Sequence, residues 1–514
     1  MRTKSTRTRT RTRTRTLAAA AVLALATLLG VPFTAPAVGA SPAGTVVSYP
    51  VPTPAAQATL TVEAPDGSIW VSLQAANALG HVNRTTGTVT ELPLPTPNSQ
   101  PLGMTIGSDG NLWFTMLGNG AIGRVDLSTD TITEFPVSGG GILITTGPDG
   151  NLWLGNANHN TIDVMNTSGT VLQSFPIATA GTVPTGLVTG PDGNIWVAGQ
   201  FADTILRVTP AGVITEFPLP NAGSRPVLPT VGPDGAIWFT EQSGNRIGRI
   251  TTGGAITEFA IPTASSDPAG ITLAADGLLW FAESTGDKIA SITTAGVITE
   301  YPVSGAAAGP AGLVAGSDGH LWFAALTGNS IGRFSTGAPW ALAATGGGGQ
   351  SATVGTAFGH ALTATVTDAD GDPVAGVPVT FVAPAGGASG TFPGGATVVD
   401  VTTDANGVAT APTFTANATV GPYTVSAAST APAPSVTFAL TNVAAAVTTA
   451  APNTLPATGP TASTAPMAAS GAALIALGGA LVAGAAVATR RRLRLRRVPV
   501  AVTGSRASAR RRRG

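Results

Sequence analysis

Short runs rich in Ile, Leu, Val, Thr and aromatic residues recur from about residue 45 to residue 335, and turn-forming residues separate them. Residues 268–304 contain four such runs, divided by Asp-Gly, Thr-Gly-Asp and Thr-Ala-Gly. Asp-Gly is typical of a two-residue hairpin turn, because both positions accept positive φ at low cost. Helical periodicity is missing from this pattern, which therefore predicts antiparallel strands and an all-β domain.

This unit is repeated seven times. Each repeat has an Asp-Gly pair and a tryptophan four residues after the aspartate, and successive repeats are 40 to 43 residues apart. The aspartates are Asp66, Asp109, Asp149, Asp192, Asp234, Asp276 and Asp318, and the tryptophans are Trp70, Trp113, Trp153, Trp196, Trp238, Trp280 and Trp322. Four strands in about 42 residues match one blade of a β-propeller, and seven blades fit a closed ring. We expect the tryptophans to form the core between the blades.

The last repeat lacks its fourth strand. Six repeats end in a motif similar to Glu-Phe-Pro, which begins at Glu91, Glu134, Ser174, Glu216, Glu258 and Glu300. The seventh repeat stops after residues 331–334, whereas Val-Val-Ser-Tyr-Pro-Val at residues 46–51 has the missing pattern. We predict that residues 46–51 complete the seventh blade and so remove an exposed sheet edge. The predicted propeller occupies residues 41–339.

Both ends of the chain carry signals for export. Basic residues followed by an apolar run at residues 17–31 predict a secretory signal peptide at residues 1–40, cleaved between Ala40 and Ser41. Near the other end, an apolar stretch at residues 467–489 is long enough for a transmembrane helix, and arginines follow it. A five-residue motif precedes this stretch. It consists of Leu455, Pro456, Ala457, Thr458 and Gly459.

This C-terminal arrangement resembles the LPXTG sorting signal of Gram-positive surface proteins. The resemblance implies that a sortase cuts between Thr458 and Gly459, joins Thr458 to the peptidoglycan of the cell wall, and removes the tail at residues 460–514. A plain membrane anchor with a chance motif is the alternative. The use of 24 Arg against 2 Lys, with abundant Ala and Gly, favours a high-GC genome.

Charge is distributed unevenly along the chain. Of 26 Lys and Arg residues, 7 lie in residues 1–16 and 11 lie in residues 490–514, whereas all 26 acidic residues lie between residues 41 and 458. The exported part is therefore strongly acidic, although the formal net charge is zero. An acidic surface argues against nucleic acid and anionic lipid headgroups as partners. Because the chain has no cysteine, its exported domains must be stable without disulfides.

The repeat ends near Trp340, and short β-runs with turn signals predict a sandwich over residues 340–442. The segments at residues 368–381 and 421–427 resemble the bacterial Ig-like domains of invasin and intimin. The acidic side chains of this domain's first turn could ligate calcium, but acidic turn residues are the commoner explanation. They are Asp368, Asp370 and Asp372. Residues 443–454 are rich in Ala, Thr and Pro and predict a flexible linker.

The repeated Gly-Pro-Asp-Gly-Asn-Leu-Trp-Phe-Thr motif, with Ile-Gly-Arg and Glu-Phe-Pro after it, resembles the streptogramin B lyase family over about residues 45–335. The resemblance implies a propeller that opens a cyclic depsipeptide by elimination, with magnesium, histidine and glutamate around one mouth of the ring. The histidine position of the family lies seven residues before each Asp-Gly aspartate. Here it holds Thr59, Leu102, Ile142, Thr185, Val227, Ala269 and Ala311. None of these side chains can act as a general base, which argues against lyase activity.

The glutamates of the family lie just after the tryptophan strand, where this chain has Glu241 and Glu283 in blades five and six. The resemblance implies that both project near one mouth. No cofactor is certain, but two carboxylates could hold magnesium or calcium. The alternative is a pair of solvated loop acids. Asn156 has the equivalent position in blade three.

The four histidines do not form a recognisable catalytic group. His81 has the position of an arginine in other blades, and we expect that arginine to pair with the glutamate of the fourth strand. The arginines are Arg124, Arg207, Arg249 and Arg333. His320 replaces the Asn of Asp-Gly-Asn on the face away from the expected mouth, His159 lies in an Asn-rich loop, and His360 lies in the second domain.

Two functions are compatible with these observations. In the first, a sortase-anchored surface protein presents the propeller to an extracellular ligand, such as a glycan, a peptide or host matrix, and the Ig-like domain is a stalk. In the second, the propeller is a metal-dependent lyase or hydrolase at the cell surface that uses Glu241 and Glu283. The histidine positions favour the first function, because they hold no base.

Overall fold

A computed structural model describes residues 43–429 and 435–446. Within these residues, no helix is long and apolar enough to cross a membrane. The expected signal peptide with its Ala40–Ser41 cleavage site, the sortase motif at residues 455–459 and the expected membrane helix at residues 467–489 lie outside the described residues.

Seven four-stranded antiparallel sheets form the first and larger domain. The first three blades contain β2 (Ala58–Glu63), β3 (Ile69–Leu73), β4 (Ala78–Asn83) and β5 (Thr88–Pro93); β6 (Pro101–Ile106), β7 (Leu112–Met116), β8 (Ala121–Asp126) and β9 (Thr131–Pro136); and β10 (Ile144–Thr146), β11 (Leu152–Asn156), β12 (Thr161–Met165) and β13 (Val171–Pro176). Blades four and five contain β14 (Pro184–Thr189), β15 (Ile195–Gly199), β16 (Thr204–Val208) and β17 (Ile214–Pro218), and β18 (Pro226–Val231), β19 (Ile237–Glu241), β20 (Arg246–Ile250) and β21 (Ile256–Ala260).

Blades six and seven complete the ring. They contain β22 (Pro268–Leu273), β23 (Leu279–Glu283), β24 (Lys288–Ile292) and β25 (Ile298–Pro302), and β26 (Pro310–Ala315), β27 (Leu321–Ala325), β28 (Ser330–Phe334) and β1 (Val46–Pro50), with a short 3-10 helix at Gly305–Ala307 between them. The innermost strands of neighbouring blades contact one another in chain order, and β26 contacts β2. The seven sheets therefore close into a ring, which confirms the all-β propeller.

The N-terminal strand β1 is the outermost strand of blade seven. It pairs antiparallel with β28, and Ser48 lies opposite Gly332. The ring of Tyr49 stacks on Trp322 at 5.4 Å, just as Phe135 stacks on Trp113 at 5.2 Å inside blade two. Because the contact repeats the one inside an unbroken blade, the two ends of the propeller are joined by the same packing that holds each blade together.

The Asp-Gly-Trp motif is a turn and a core contact at once. In blade four, Asp192 Oδ1 accepts a bond from the backbone N–H of Asn194 at 3.2 Å and another from Trp196 Nε1 at 3.1 Å. Gly193 has φ of 73°, the left-handed conformation that the turn requires. Trp196 is fully buried and packs against residues of the next blade, including Ile237. The aspartate therefore satisfies the one polar atom of a buried tryptophan, and the tryptophans form the core between blades as expected.

The third-strand arginines at the position of Arg124 do not pair with the glutamates of the fourth strands, so that expectation is wrong. Arg124 lies opposite Thr133, and it is the preceding Gly123 that lies opposite Glu134. Since successive strand residues point to opposite faces, the guanidinium faces the other way. It lies over the ring of Trp113 at 5.7 Å. The fourth-strand glutamates instead accept bonds from loops between blades, as Glu134 does from Thr96 Oγ1 at 2.6 Å.

A second all-β domain follows the propeller. A three-stranded sheet contains β29 (Ala341–Gly346), β31 (Thr363–Thr367) and β35 (Val408–Thr410); a five-stranded sheet contains β30 (Gln350–Thr353), β38 (Val436–Val443), β37 (Gly421–Ser429), β32 (Pro378–Val382) and β34 (Val398–Thr402); and a small sheet pairs β33 (Gly390–Thr391) with β36 (Thr415–Ala416), near a 3-10 helix at Pro393–Gly395. Side chains from both larger sheets share one core, which includes Leu342, Val366, Phe381 and Phe438. The resemblance to Ig-like domains stays a prediction.

The acidic turn of this domain is held by its own hydrogen bonds. Asp368 is buried, and its Oδ1 accepts bonds from the backbone N–H of Asp370 at 3.0 Å and of Asp372 at 2.9 Å. Burial raises the pKa of Asp368. These contacts are those of an Asx-type turn, which is the commoner of the two expected explanations for the acidic residues.

Candidate ligand-binding mouth of the propeller

The second strand of every blade runs from the Asp-Gly turn to the opposite face of the ring, where a cavity of about 350 Å³ opens. The walls of this mouth include the seven positions at which the lyase family would carry histidine. They are Thr59, Leu102, Ile142, Thr185, Val227, Ala269 and Ala311. The alignment of the repeats therefore located the mouth correctly. The inner wall of the mouth is mainly apolar, because five of these seven positions hold Leu, Ile, Val or Ala.

The polar groups of the mouth come from residues that the sequence analysis did not select. Gln200, Gln242 and Ser284 each follow the last residue of a second strand, and all three line the cavity. Asp267 is a charged lining residue, and it is partly exposed with φ of 56°. Asp267 lies two residues before the histidine position of its repeat, and this spacing could have identified it from the sequence. The mouth therefore offers a carboxylate and two amides on an apolar wall.

Glu241 ends β19 as a fully buried side chain, and it is not part of the mouth lining. Its Oε2 lies 3.8 Å from Arg246 Nη1 on the adjacent strand, and neither carboxylate oxygen has a hydrogen bond within the described residues. Burial raises the pKa of Glu241 to about 7. The nearby Glu258 adds to the shift, and Ser224 and Arg246 oppose it.

Glu283 has the same position in blade six and is also fully buried. It lies opposite Lys288, but Lys288 Nζ is 2.5 Å from Glu300 Oε2 instead. Burial raises the pKa of Glu283 to about 7, and the charge of Glu300 contributes. Each of the two glutamates therefore lies inside its own blade beside a cation and a second carboxylate.

The structure corrects both expectations for these glutamates. They are not solvated loop acids, because each ends a strand whose five residues are all buried. They also do not meet in the mouth, whose walls contain the next residues, Gln242 and Ser284. Among the described residues, no group of three or more His, Cys, Asp or Glu side chains is placed to hold a metal ion. The residues present therefore do not fit the magnesium that the lyase resemblance implies.

Asn156 occupies the equivalent position in blade three and is buried in a hydrogen-bonded cluster. Its Nδ2 donates to Asp163 Oδ2 at 2.7 Å and to the Ser138 carbonyl oxygen at 2.9 Å. Its Oδ1 accepts from the backbone N–H of His159 at 3.1 Å. These contacts are internal to blade three and its adjoining loops, so Asn156 and His159 hold the loop rather than face a ligand.

The remaining histidines lie away from the mouth. His81 stacks on Trp70 at 4.6 Å, and Arg124, Arg207 and Arg249 at its repeat position likewise lie over the tryptophans of their own blades at 5.7 to 5.9 Å. His320 is buried beside an Asp-Gly turn, with only 4% of its surface exposed. The backbone N–H of His360 donates to Gln350 Oε1 at 2.7 Å in the second domain.

An exposed aromatic ring stands beside the mouth. Phe201, which follows the lining residue Gln200, is 58% exposed. The guanidinium of Arg225 lies 4.6 Å from its ring centroid, and the backbone N–H of Arg225 donates to Asp203 Oδ1 at 2.9 Å. These contacts join two adjacent loops of blades four and five and hold the ring in place, so Phe201 is a preformed apolar platform at the rim.

These features define a seven-bladed propeller with an apolar mouth. The sequence matches the virginiamycin B lyase family over residues 34–142 and 137–341, more than half of the chain, and the chain belongs to this family. No curated protein sequence matches it.

Solved structures agree with this membership. A streptogramin B lyase is 31% identical, with a TM-score of 0.54, and the match covers 56% of this chain and 97% of that one. Selenomethionine-substituted virginiamycin B lyase from Staphylococcus aureus is 34% identical, with a TM-score of 0.54 and coverage of 56% and 98%. A catalytically inactive variant of the Staphylococcus aureus enzyme, solved with quinupristin, gives 34% identity, a TM-score of 0.53 and the same coverage.

Proposed function

We propose that this protein is an exported surface protein whose propeller binds an extracellular ligand at the mouth. The observation that carries the proposal is the mouth itself, an apolar cavity of about 350 Å³ with two amides and a carboxylate on its walls. Concave, mainly apolar sites with a few polar groups are typical of ligand recognition. The size favours a small molecule or part of a peptide or glycan over a folded protein.

Elimination needs a base near the reacting carbon and an acid near the leaving group. None of the side chains at the seven histidine positions has a group that titrates near neutral pH, and Glu241 and Glu283 are buried outside the lining. Asp267 is the carboxylate that reaches the cavity. Binding without turnover is therefore the function that these side chains support best. A C–O lyase or hydrolase derived from the family is the alternative, and family membership is what favours it.

The sequence supports a surface location for this binding domain. A signal peptide at residues 1–40 would export the chain, and a sortase would join Thr458 to peptidoglycan. The domain at residues 340–442 would then be an Ig-like stalk, followed by a linker at residues 443–454. The host would be a Gram-positive bacterium, and the C-terminal helix would contact the membrane only before sorting.

Quinupristin is a suitable first probe, because a structure of a related lyase was solved with it. We would incubate the purified chain with quinupristin and magnesium, follow ring opening by mass spectrometry, and measure binding in parallel by calorimetry. We expect the ring to stay intact. Ring opening that is lost in Asp267→Asn or Glu283→Gln would support the lyase alternative and overturn the proposal.

A panel of glycans, peptides and matrix proteins would then test binding more widely. Val227→Arg would place a long charged side chain in the mouth, whereas Val213→Arg changes an exposed residue, 63% accessible, in the turn between β16 and β17. We expect the first variant to abolish binding of any ligand that the panel identifies and the second to leave it unchanged. Binding that survives Val227→Arg would show that the mouth is not the site.

A further inference from the structure

The turn end of blade seven contacts the second domain through a cluster of charged groups. Asp370 Oδ1 lies 3.0 Å from His320 Nε2 and 2.9 Å from Arg333 Nη2. On the other side of the imidazole, His320 Nδ1 lies 3.5 Å from Asp318 Oδ2. A nearly buried imidazole therefore lies between two carboxylates that come from two different domains.

Apolar packing beside this cluster keeps the two domains close. Trp340 belongs to the second domain, because its backbone N–H donates to the carbonyl oxygen of Thr367 at 2.8 Å. Its indole covers Gly319 in the Asp-Gly turn, where a Cβ atom would lie only 2.6 Å from Trp340 Cδ2. Ala369 lies on the same glycine. The charged cluster is thus partly shielded from solvent, which strengthens its electrostatic interactions.

Comparison of the seven repeats shows that His320 is an unusual residue at its position. In three other blades an asparagine stands there and donates from Nδ2 to the aspartate of its own turn, at 2.8 to 2.9 Å. These asparagines are Asn111, Asn151 and Asn194. The longer imidazole of His320 reaches beyond its own turn to Asp370. Among the seven repeats, only blade seven has a histidine at this position, and that histidine contacts the second domain.

The charges around the imidazole make its protonation state matter. Arg84 belongs to blade one and lies 3.6 Å from Asp318 and 2.6 Å from Glu63. When the imidazole is neutral, the carboxylates of the cluster outnumber its two cations, Arg84 and Arg333. Protonation of the imidazole adds a positive charge that offsets part of this excess. The groups that face or adjoin it are Asp318, Arg333, Arg84, Glu63, Asp370, Asp368 and Asp372.

We propose that His320, Arg333 and Asp370 form a pH-sensitive clasp that holds the second domain against the turn face of the propeller. The strand β27 separates this face from the mouth, since it begins after His320 and ends before Leu326, a mouth residue. The clasp therefore keeps the mouth directed away from the second domain. It is tight when the imidazole is protonated and loosens when the proton is lost.

The charges and hydrogen bonds around His320 favour its protonated form, in agreement with the proposed direction of the pH dependence. Burial lowers the pKa of His320, but the bonds and charges of Asp318 and Asp370 outweigh burial and Arg333, so the net pKa is raised from 6.5. A raised pKa in the folded state means that the clasp contributes fully below the unfolded value of 6.5 and loses its contribution as pH rises through the folded value.

Distance measurements on the full chain test the clasp. The chain has no cysteine, so Val297→Cys in the propeller and Val420→Cys in the second domain provide two exposed sites for spin labels. In the otherwise native chain, we expect one narrow distance distribution at about pH 5.5 and a broader one at about pH 8.5. His320→Asn introduces the residue that three other blades have at this position, and we expect it to give the broad distribution at both pH values.

Asp370→Asn should give the same result as His320→Asn without altering the propeller. His159→Asn and His360→Asn are the matched controls, and both should keep the pH dependence of the native chain. A distribution that is equally narrow at both pH values in the native chain and in His320→Asn would overturn the clasp. So would a native chain that is broad at both. Each of these outcomes is independent of whether the mouth binds a ligand.

Discussion

The two ends of the second strands in the propeller differ in how they use the repeat. At the turn end, six blades have the same bond from the tryptophan Nε1 to the Asp-Gly aspartate, at 3.0 to 3.2 Å. At the mouth end, the last residue of the strand varies, with six residue types in the seven blades. These residues are Leu73, Met116, Asn156, Gly199, Glu241, Glu283 and Ala325. The turn end therefore has the same hydrogen bond in six blades, whereas the side chain at the mouth end changes around the ring.

This difference separates structural residues from functional candidates. A position whose contact is the same in every blade contributes to folding, whereas a position that changes from blade to blade can serve a site. The mouth end also includes groups that reduce stability, such as two buried carboxylates without hydrogen bonds. We therefore expect changes at the turn end and at the ring closure to lower stability, and changes at the mouth to leave it unchanged or raise it.

Removing the closure strand should have the largest effect. Deleting residues 45–51 removes the pairing of β1 with β28 and the stack of Tyr49 on Trp322. We expect a loss of roughly 5 kcal/mol, which lowers the melting temperature of a domain of this size by about 10 °C or more. Calorimetry checks it. An unchanged melting temperature would contradict closure by β1.

Glu283→Gln should raise stability in a pH-dependent way. The pKa of Glu283 is about 7 in the folded state and 4.5 when unperturbed. The folded state therefore resists ionisation of the carboxyl, and its stability falls as pH rises from the lower value to the higher one. A neutral amide avoids this loss, so we expect a gain of about 2–3 kcal/mol near pH 8 and almost none near pH 4. Denaturant titrations at the two pH values measure it.

Glu300→Gln in the same blade is the control of opposite sign. Burial raises the pKa of Glu300, but bonds from Lys288 and Thr263 outweigh it, so the net pKa is lowered from 4.5. Its stabilising contribution is present above that value and is lost as pH falls through the folded pKa. Glu300→Gln should therefore lower stability at neutral pH. If both variants changed the free energy of unfolding in the same direction, the environments of the two carboxyl groups would differ from those described.

Asp192→Ala tests the turn end directly. It removes the acceptor of a buried indole N–H and of the backbone N–H of Asn194. We expect a loss of about 1–3 kcal/mol, because a buried donor is left without a partner. Asp192→Asn keeps an acceptor oxygen and should lose less. Urea unfolding followed by tryptophan fluorescence measures both, and equal losses would show that the indole bond is unimportant.

Phe201→Ala should have the smallest effect on stability and a selective one on binding. Because the ring is 58% exposed, we expect stability to change by no more than about 0.5 kcal/mol. An aromatic contact at the rim contributes about 0.5–1.5 kcal/mol, or roughly a 2- to 10-fold change in affinity. Calorimetry with a ligand from the binding panel measures it. Leu172→Ala, an exposed change in the fourth strand of blade three, is the control.

The amino-acid sequence was sufficient to predict much of the architecture. Asp-Gly turns, tryptophan spacing and short β-runs are local features, because a turn or a strand depends on residues that are adjacent in the chain. The unmatched pattern at residues 46–51 likewise pointed to the strand that pairs with β28. The repeat even located the mouth, since equivalent positions in a ring of blades must face one another.

The burial of Glu241 and Glu283, the stacking of Arg124 and the contact of His320 with Asp370 were decided by the tertiary structure. Strand register determines which face a side chain occupies, and a shift of one residue reverses it. Burial depends on neighbouring strands and blades, and the partner of His320 lies 50 residues away in another domain. Local pattern therefore specified the blades of this protein, whereas packing between distant segments decided which groups are charged, buried or available to a ligand.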